Sequence, residues 1–489
     1  MRSFLALVGA VALLAAAAGT AAAGPAATFR NPVVPETAGD DSPDPWIFRH
    51  DGRYWLTYTS TDHVELRTAT TLAGLADATA RRLWPPAGGS EPDSRCCELW
   101  APEVHRLDGP DGRRWYLYYA ANGPGGGPTH QMHVLESAGD DPAGPYRYKA
   151  RLRLPDPYAI DGTVARVGGR TYLVYSGGTS FTPTSLMLVE LANPWTVAGT
   201  PIAISRPELA WERFAFPVNE GPELLRRGGT LNVVYSASWC GTGAYALGLL
   251  SVPASANLLD PATWATAKRP EPVFTSRGGN GVWGPGHGSF FTSPDGRESW
   301  QVYHATEDDR GCFTGGLRTT RAQRFTWNAD GTPDFGAPVG LDADVAAPSG
   351  ERGTAIQAER AVVGRRGRTV ADRRLVGYQG LALPRGVTSV RLRAPHAGRW
   401  RVRLRLLGGP SAGEVALAGA GTGARGGAKA RAGAGTGARR AVTRTARRAR
   451  AGAVALDYGV VSLGAGATTV RLRLARPATL DQLVLEKVG

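Results

Sequence analysis

Three carboxylic acids, Asp44, Asp161 and Glu220, each precede Pro or Gly at the head of an apolar stretch, and with Glu103 and His287 they mark five comparable places in the chain. The intervals between successive members are 59, 58, 59 and 67 residues. A single Asp-Pro or Asp-Gly pair is ordinarily a turn. Five ionisable residues in register are harder to explain that way. Gathering several carboxyl groups in one hollow raises the pKa of at least one of them, which provides a proton donor beside a proton acceptor and suits general acid and base catalysis.

The elements that would position these residues follow from the repeat. Each of the five opens an apolar strand, passes through a Gly turn and enters a second strand that ends in Tyr, running from Asp44 through Gly52 to Tyr58 and from Glu103 through Gly112 to Tyr118. The remaining three run from Asp161 through Gly169 to Tyr175, from Glu220 through Gly229 to Tyr235, and from His287 through Gly296 to Tyr303. A hairpin with further strand-like sequence at so regular a period is the signature of radial blades, and five copies predict an all-β, five-bladed β-propeller over residues 30–350. The first strand of each blade then lines a central channel, where the five leading residues converge. Glu223, three residues after Glu220, is expected on the opposite strand face by simple alternation.

The ordered set Ser-Pro-Asp44-Pro, Trp100-Ala-Pro-Glu103, Ala-Ile-Asp161-Gly, Asn219-Glu220-Gly-Pro, Gly-Pro-Gly-His287 and Arg318-Thr-Thr-Arg321-Ala-Gln323 resembles the family 43 glycoside hydrolases, in particular the branch acting as α-L-arabinofuranosidases. The resemblance spans about Asn31 to Glu351 and includes Trp327-Asn-Ala-Asp-Gly331. It implies that Asp44 is the general base activating water, Glu220 the general acid protonating the leaving oxygen, and Asp161 the carboxylate that orients the acid and keeps its pKa raised. Members of this family invert, so the carboxyl groups of Asp44 and Glu220 are expected roughly 6.5–9.5 Å apart, leaving room for a water. Substrate binding is expected from Glu103, from Arg318 or Arg321 through forked hydrogen bonds to sugar hydroxyls, and from stacking on Trp46, Trp100 or Trp283. In relatives of this type the histidine matching His287 helps hold a hydrated cation, commonly calcium, on the axis; a hydrogen-bonding histidine is the other reading. No cofactor is required for the chemistry.

Residues 1–23, with Arg2 ahead of an apolar run and the cluster Ala21-Ala22-Ala23, have the layout of a cleaved signal peptide, so the protein is expected to be secreted and extracellular, with no membrane span. The net charge of +14 invites nucleic acid as a partner, but nine of those charges fall between residues 418 and 452, which hold no acidic residue. That Ala-, Gly-, Thr- and Arg-rich stretch cannot form a core and reads as a mobile insert, with contact to an anionic surface as the sharper alternative. Nucleic acid is therefore set aside. Four cysteines in a secreted chain allow three full pairings. Cys240 and Cys312 follow comparable strands in neighbouring repeats and suit a bridge, whereas the adjacent Cys96 and Cys97 can close on each other or pair elsewhere.

Beyond Glu351, alternating runs such as Trp400-Arg-Val402-Arg-Leu404 predict half-buried antiparallel strands and a small β-sandwich over residues 356–489. It loosely resembles the carbohydrate-binding modules attached to such hydrolases, with Tyr378, Trp400 and Tyr458 as its few aromatics and Glu359 as a candidate for a structural cation. The expected function is removal of α-L-arabinofuranosyl residues from plant cell-wall polysaccharide, arabinan or arabinoxylan. A β-xylosidase or endo-arabinanase of the same fold is the alternative. A non-catalytic sugar-binding propeller is the third reading, and Asp44, Asp161 and Glu220 together speak against it.

Overall fold

In the computed structural model, residues 27–35 and 41–351 are described, apart from a few positions between 87 and 94, together with the strands beyond 351 and parts of their connections. The apolar leader, Glu359 and Tyr378 lie outside the described residues. The described residues are nearly all β, with only short helical turns such as Pro261–Trp264 among them. Among the described residues no helix is long and apolar enough to cross a membrane.

Five antiparallel sheets follow one another between Trp46 and Asp334, four of them four-stranded and the fourth in order three-stranded. Their first strands are Trp46–His50, Cys97–Gly109, Tyr158–Val167, Asn219–Arg227 and Trp283–Thr292. Each first strand turns back through a hairpin onto a second strand, and these second strands are flanked on both sides. Thr230–Ala237 is buried along nearly its whole length because hydrophobic clusters cover both its faces, Leu231 and Val233 in one and Val234 in the other.

Hydrophobic clusters weld each sheet to the next. Trp55 and Leu66 meet Trp115 and Leu117 between the first two sheets, and Tyr118 and Val134 meet Leu173 and Tyr175 between the second and third. Val174 and Leu188 join Val233 and Leu250, and Val234 and Leu249 join Tyr303 and Phe325. The fifth sheet closes on the first through Phe291, Trp300 and Val302 against Tyr54 and Leu56. Fully burying each such side chain contributes about 1.5–3 kcal/mol.

The N-terminal segment locks the closure. Val33 donates its amide to the Thr320 carbonyl at 2.8 Å, Ser42 donates its amide to the Arg318 carbonyl at 2.8 Å, and the Thr320 hydroxyl donates to the Ser42 carbonyl at 2.6 Å. Asn31 adds a pair of side-chain bonds to the backbone of Ala322.

Two further sheets lie beyond this ring. One has eight strands and includes Trp400's strand Gly398–Leu407 and the C-terminal strand Ala478–Lys487; the other has five. Thr28–Phe29 and Val345–Ala346 hydrogen-bond within the eight-stranded sheet, so the two ends of the ring segment run into it. Val415–Gly419 pairs with Val442–Arg444, so strand structure reaches into the stretch expected to be a mobile insert. Arg405, 2% exposed, faces Asp77 of the ring at 3.4 Å and Asp481 of its own sheet, and Gln482 reaches the Ala73 carbonyl.

Candidate active site

Four of the five first strands are irregular near the functional residues, and in the first sheet Asp44 stands just ahead of a regular strand. Register breaks fall between Ile160 and Thr163, Glu220 and Glu223, and Gly286 and Ser289, and a fourth lies between Trp100 and Glu103. Beside them, Asp44, Ala101, Asp161, Gly221 and His287 all have positive φ, between 33° and 56°. Such bulges re-aim a side chain out of the strand's alternation. All five are followed by Pro or Gly. Ala101, not Glu103, is therefore the second sheet's counterpart of Asp44 and Asp161.

At Gly221 the conformation and the space both demand glycine, because a Cβ there would stand 2.8 Å from the His287 ring. The Gly221 amide in turn donates to Asp161 Oδ2 at 3.1 Å.

A cavity of about 560 Å³ opens over these bulges and is lined by Asp44, Asp161, Glu220 and His287, with Trp100, Tyr158, Trp239 and Arg318 on its walls. Asp44 Oδ1 lies 3.3 Å from His287 Nδ1 and 3.4 Å from an Arg318 guanidinium nitrogen, while Oδ2 accepts from the Thr59 hydroxyl at 2.7 Å. Burial alone would raise the Asp44 pKa, but His287 and Arg318 outweigh it and hold the carboxyl well below the usual range. The opposite holds for Glu220, where burial and the neighbouring Asp161 push the pKa up to about 7 although Tyr245 donates to Oε1 at 2.7 Å. Asp161 is itself raised to about 6, first by burial. Burial disfavours a charged His287, yet Asp161, Asp44 and Glu220 around it raise its pKa above the ordinary value. One carboxylate held ionised and another held protonated in the same cavity is the arrangement that separates base from acid.

Residues that the repeat does not name hold this geometry. The residue after the Tyr of the second strand braces the next sheet: Thr59 accepts the Ala101 amide at 2.7 Å, Ser236 accepts the His287 amide at 2.7 Å, and His304 Nδ1 accepts the Asp44 amide at 3.1 Å. Ser176, in the same position, donates to the Asn219 carbonyl at 2.8 Å. With Nδ1 accepting, and with burial lowering its pKa to about 4, His304 is neutral. It stacks on Tyr245 at 5.6 Å between centroids, linking the base's backbone to the acid's hydrogen-bond donor.

The remaining sequence candidates divide. Trp100 lines the cavity and stacks on His130 at 3.8 Å, and Arg318 lines it beside Asp44. Arg321 does not; it is fully buried and donates to the carbonyls of Gly281 and Thr306. Trp46 packs 4.6 Å from His105 and donates to the Val104 carbonyl, and Trp283 sits against Gly243; neither lines the cavity. Glu103 is buried away from the cavity, bonded to His105 at 2.7 Å. Glu223 lies beside it, its pKa raised by burial and by Glu103. The bulge thus turns Glu223 inward instead of leaving it on the opposite face. Cys240 is bonded to Cys312, and Cys96 to Cys97.

Among the described residues no group of three His, Cys, Asp or Glu side chains is arranged to hold a metal ion. At His287, Nδ1 already faces Asp44 and Asp161.

Residues 29–333 match the family described as Glycosyl hydrolases family 43. The chain is 40% identical over 352 residues to an extracellular exo-α-(1→5)-L-arabinofuranosidase of Streptomyces avermitilis, covering 69% of this chain and 70% of that protein. It is 36% identical over 334 residues to α-L-arabinofuranosidase 43 of Humicola insolens, covering 65% of each. The matches thus span about two thirds of these relatives. The crystal structure of an α-L-arabinofuranosidase from Lactobacillus brevis superposes with a TM-score of 0.58 at 34% identity, covering 64% of this chain and 97% of that one. With a family model over more than half its length and relatives at this identity, the chain belongs to glycoside hydrolase family 43.

Proposed function

We propose that this protein is a secreted, inverting α-L-arabinofuranosidase that removes arabinofuranosyl residues from arabinan or arabinoxylan. The observation that carries the reading is the opposed electrostatics of Asp44 and Glu220 in one cavity. Glu220 gives its proton to the glycosidic oxygen as the bond to the anomeric carbon breaks. Asp44 takes a proton from the water that attacks the opposite face, and solvent exchange resets both carboxyl groups. His287 and Arg318 keep Asp44 ionised before the step, and Asp161 keeps the proton on Glu220. Trp100, Tyr158 and Arg318 bind the sugar. The names of the similar proteins support arabinose as that sugar and the extracellular space as the location.

The ring of five sheets is read as a five-bladed propeller spanning residues 30–350, and the two C-terminal sheets as a β-sandwich. Trp400, one of its few aromatics, is 1% exposed, which favours a structural appendage over a sugar-binding module. A calcium ion on the axis would meet His287 only through water, and no step of the mechanism uses it. The basic stretch within 418–452 offers contact with an anionic surface.

The test is nitrophenol release from 4-nitrophenyl α-L-arabinofuranoside and β-D-xyloside, with the product anomer followed by NMR. Preference for the arabinofuranoside with an inverted product supports the reading; preference for the xyloside, or a retained anomer, overturns it.

Thr59 provides a finer check. Its hydroxyl takes the Ala101 amide and therefore has its own proton free for Asp44. Thr59→Val should lower kcat about tenfold, in line with loss of a hydrogen bond to a charged group, and shift the acidic limb of the pH profile upward with KM little changed. Thr59→Ser should restore both. An unshifted acidic limb in the Val variant would reduce Thr59 to a packing role.

A further inference from the structure

Glu212 is 0% exposed and does not line the cavity; it sits in the short turn Ala210–Arg213 that leads toward the fourth sheet. Five groups donate to its carboxyl. The Glu208 and Leu209 amides reach Oε2, each at 2.8 Å, while the Tyr235 hydroxyl, the Asn219 side-chain amide and Lys268 Nζ reach Oε1 at 2.8, 3.1 and 2.8 Å. Lys268 comes from a segment that bridges to Leu250 of the outer strand Ala246–Pro253, on the edge where the other four sheets carry a fourth strand. A buried ion pair of this kind adds little net stability over an apolar filling, because desolvation offsets the attraction. What it does supply is direction, since each of its bonds fixes an angle as well as a distance.

That direction ends beside the acid, because Asn219 immediately precedes Glu220. Asn219 is buried, and besides its bond to Glu212 its side-chain oxygen accepts from the Ser205 hydroxyl at 2.6 Å and its carbonyl from the hydroxyls of Ser176 and Thr184 at 2.8 and 3.2 Å. On the far side of Glu220 the ladder is broken, with Gly221 at a φ of 53° and pairing resumed only at Glu223. Asn219 is thus the fixed point from which the bulge is aimed. A general acid must stand within hydrogen-bond reach of the leaving oxygen, and a misplacement of about 1 Å can cost about 10²-fold in rate. We propose that Glu212 is a positioning residue, which together with Lys268 holds Asn219 and thereby aims the Glu220 carboxyl at the glycosidic oxygen. This rests on the arabinofuranosidase reading and deepens it with a residue that never meets the substrate.

The experiment compares kcat and KM on methyl α-L-arabinofuranoside, whose alcohol cannot leave without a proton, with those on α-L-arabinofuranosyl fluoride, whose leaving group needs far less help from an acid. Glu212→Gln keeps the size of the side chain but turns an NH2 group toward donors that the carboxyl accepted. Its kcat on the methyl glycoside should fall at least about tenfold, a part of the roughly 10²–10⁴-fold that a positioned acid contributes, with KM and fluoride hydrolysis little changed. Asn219→Ala cuts the link and leaves the Glu212–Lys268 pair whole; it should show the same split, and it decides the matter where the Glu212 variant fails to fold. Equal losses on both substrates, no loss on either, or a split that Asn219→Ala does not reproduce would overturn the proposal and leave Glu212 a structural partner of Lys268. Failure of the unmodified protein to hydrolyse the fluoride overturns the arabinofuranosidase reading, and the positioning role with it.

Discussion

Glu220→Gln is expected to slow hydrolysis of unactivated arabinofuranosides by about 10²–10⁴-fold, the usual contribution of a positioned acid, while 4-nitrophenyl arabinofuranoside loses far less. A sugar alcohol cannot depart without a proton, whereas nitrophenolate can. The environment of Glu220 makes the same assignment through pH. Its pKa is pushed up to about 7, so the carboxyl is protonated and competent below that value, and activity on unactivated substrates should fall as pH rises through it. The Gln variant has no group to deprotonate there, and its residual activity should lose that alkaline limb. Equal losses on both substrates, or a limb that persists in the variant, would remove Glu220 from the role of acid.

Asp44→Asn should abolish both activities, by at least about 10²-fold, because water must be activated whatever the leaving group. The amide keeps the shape of the side chain and can still meet the Thr59 hydroxyl, so the protein should fold and bind substrate, with a lowered melting temperature because His287 and Arg318 lose their counter-charge. Retained turnover on 4-nitrophenyl arabinofuranoside would exclude Asp44 as the base. Asp44 also serves His287 and Arg318 as counter-charge at 3.3 and 3.4 Å. A loss of folding instead of turnover would therefore mean that the carboxylate is structural before it is catalytic.

Much of this site was legible because a repeated period constrains what a single residue cannot. Asp44, Asp161, Glu220 and His287 recur at intervals that only a ring brings together, and the structure places all four around one cavity. Ionisable character alone points to Glu103, which the structure buries outside the cavity lining. The marker that holds across the five sheets is the Pro or Gly following the residue of positive φ, and by that rule Ala101-Pro102 replaces Glu103. Alternation failed at Glu223 for the same reason, since a register break precedes it. Trp46, Trp283 and Arg321 could not be sorted from Trp100 and Arg318 by type, because aromatic and guanidinium groups also fill the spaces between sheets. Thr59, Ser236 and His304 carried a signal that residue type concealed: each follows the Tyr of its repeat, while its chemistry varies from hydroxyl to imidazole. Tyr245 lies in a connection with no period at all.

The bracing residues also bear on how interchangeable the sheets are. Each looks like a self-sufficient unit, yet at four junctions the backbone of one first strand is held by the neighbour's second strand. A gene that duplicated, deleted or swapped one sheet could preserve every hairpin and still lose the alignment of Asp44 with His287. Modularity in this ring is architectural, whereas the reaction centre is indivisible and must be inherited as a whole.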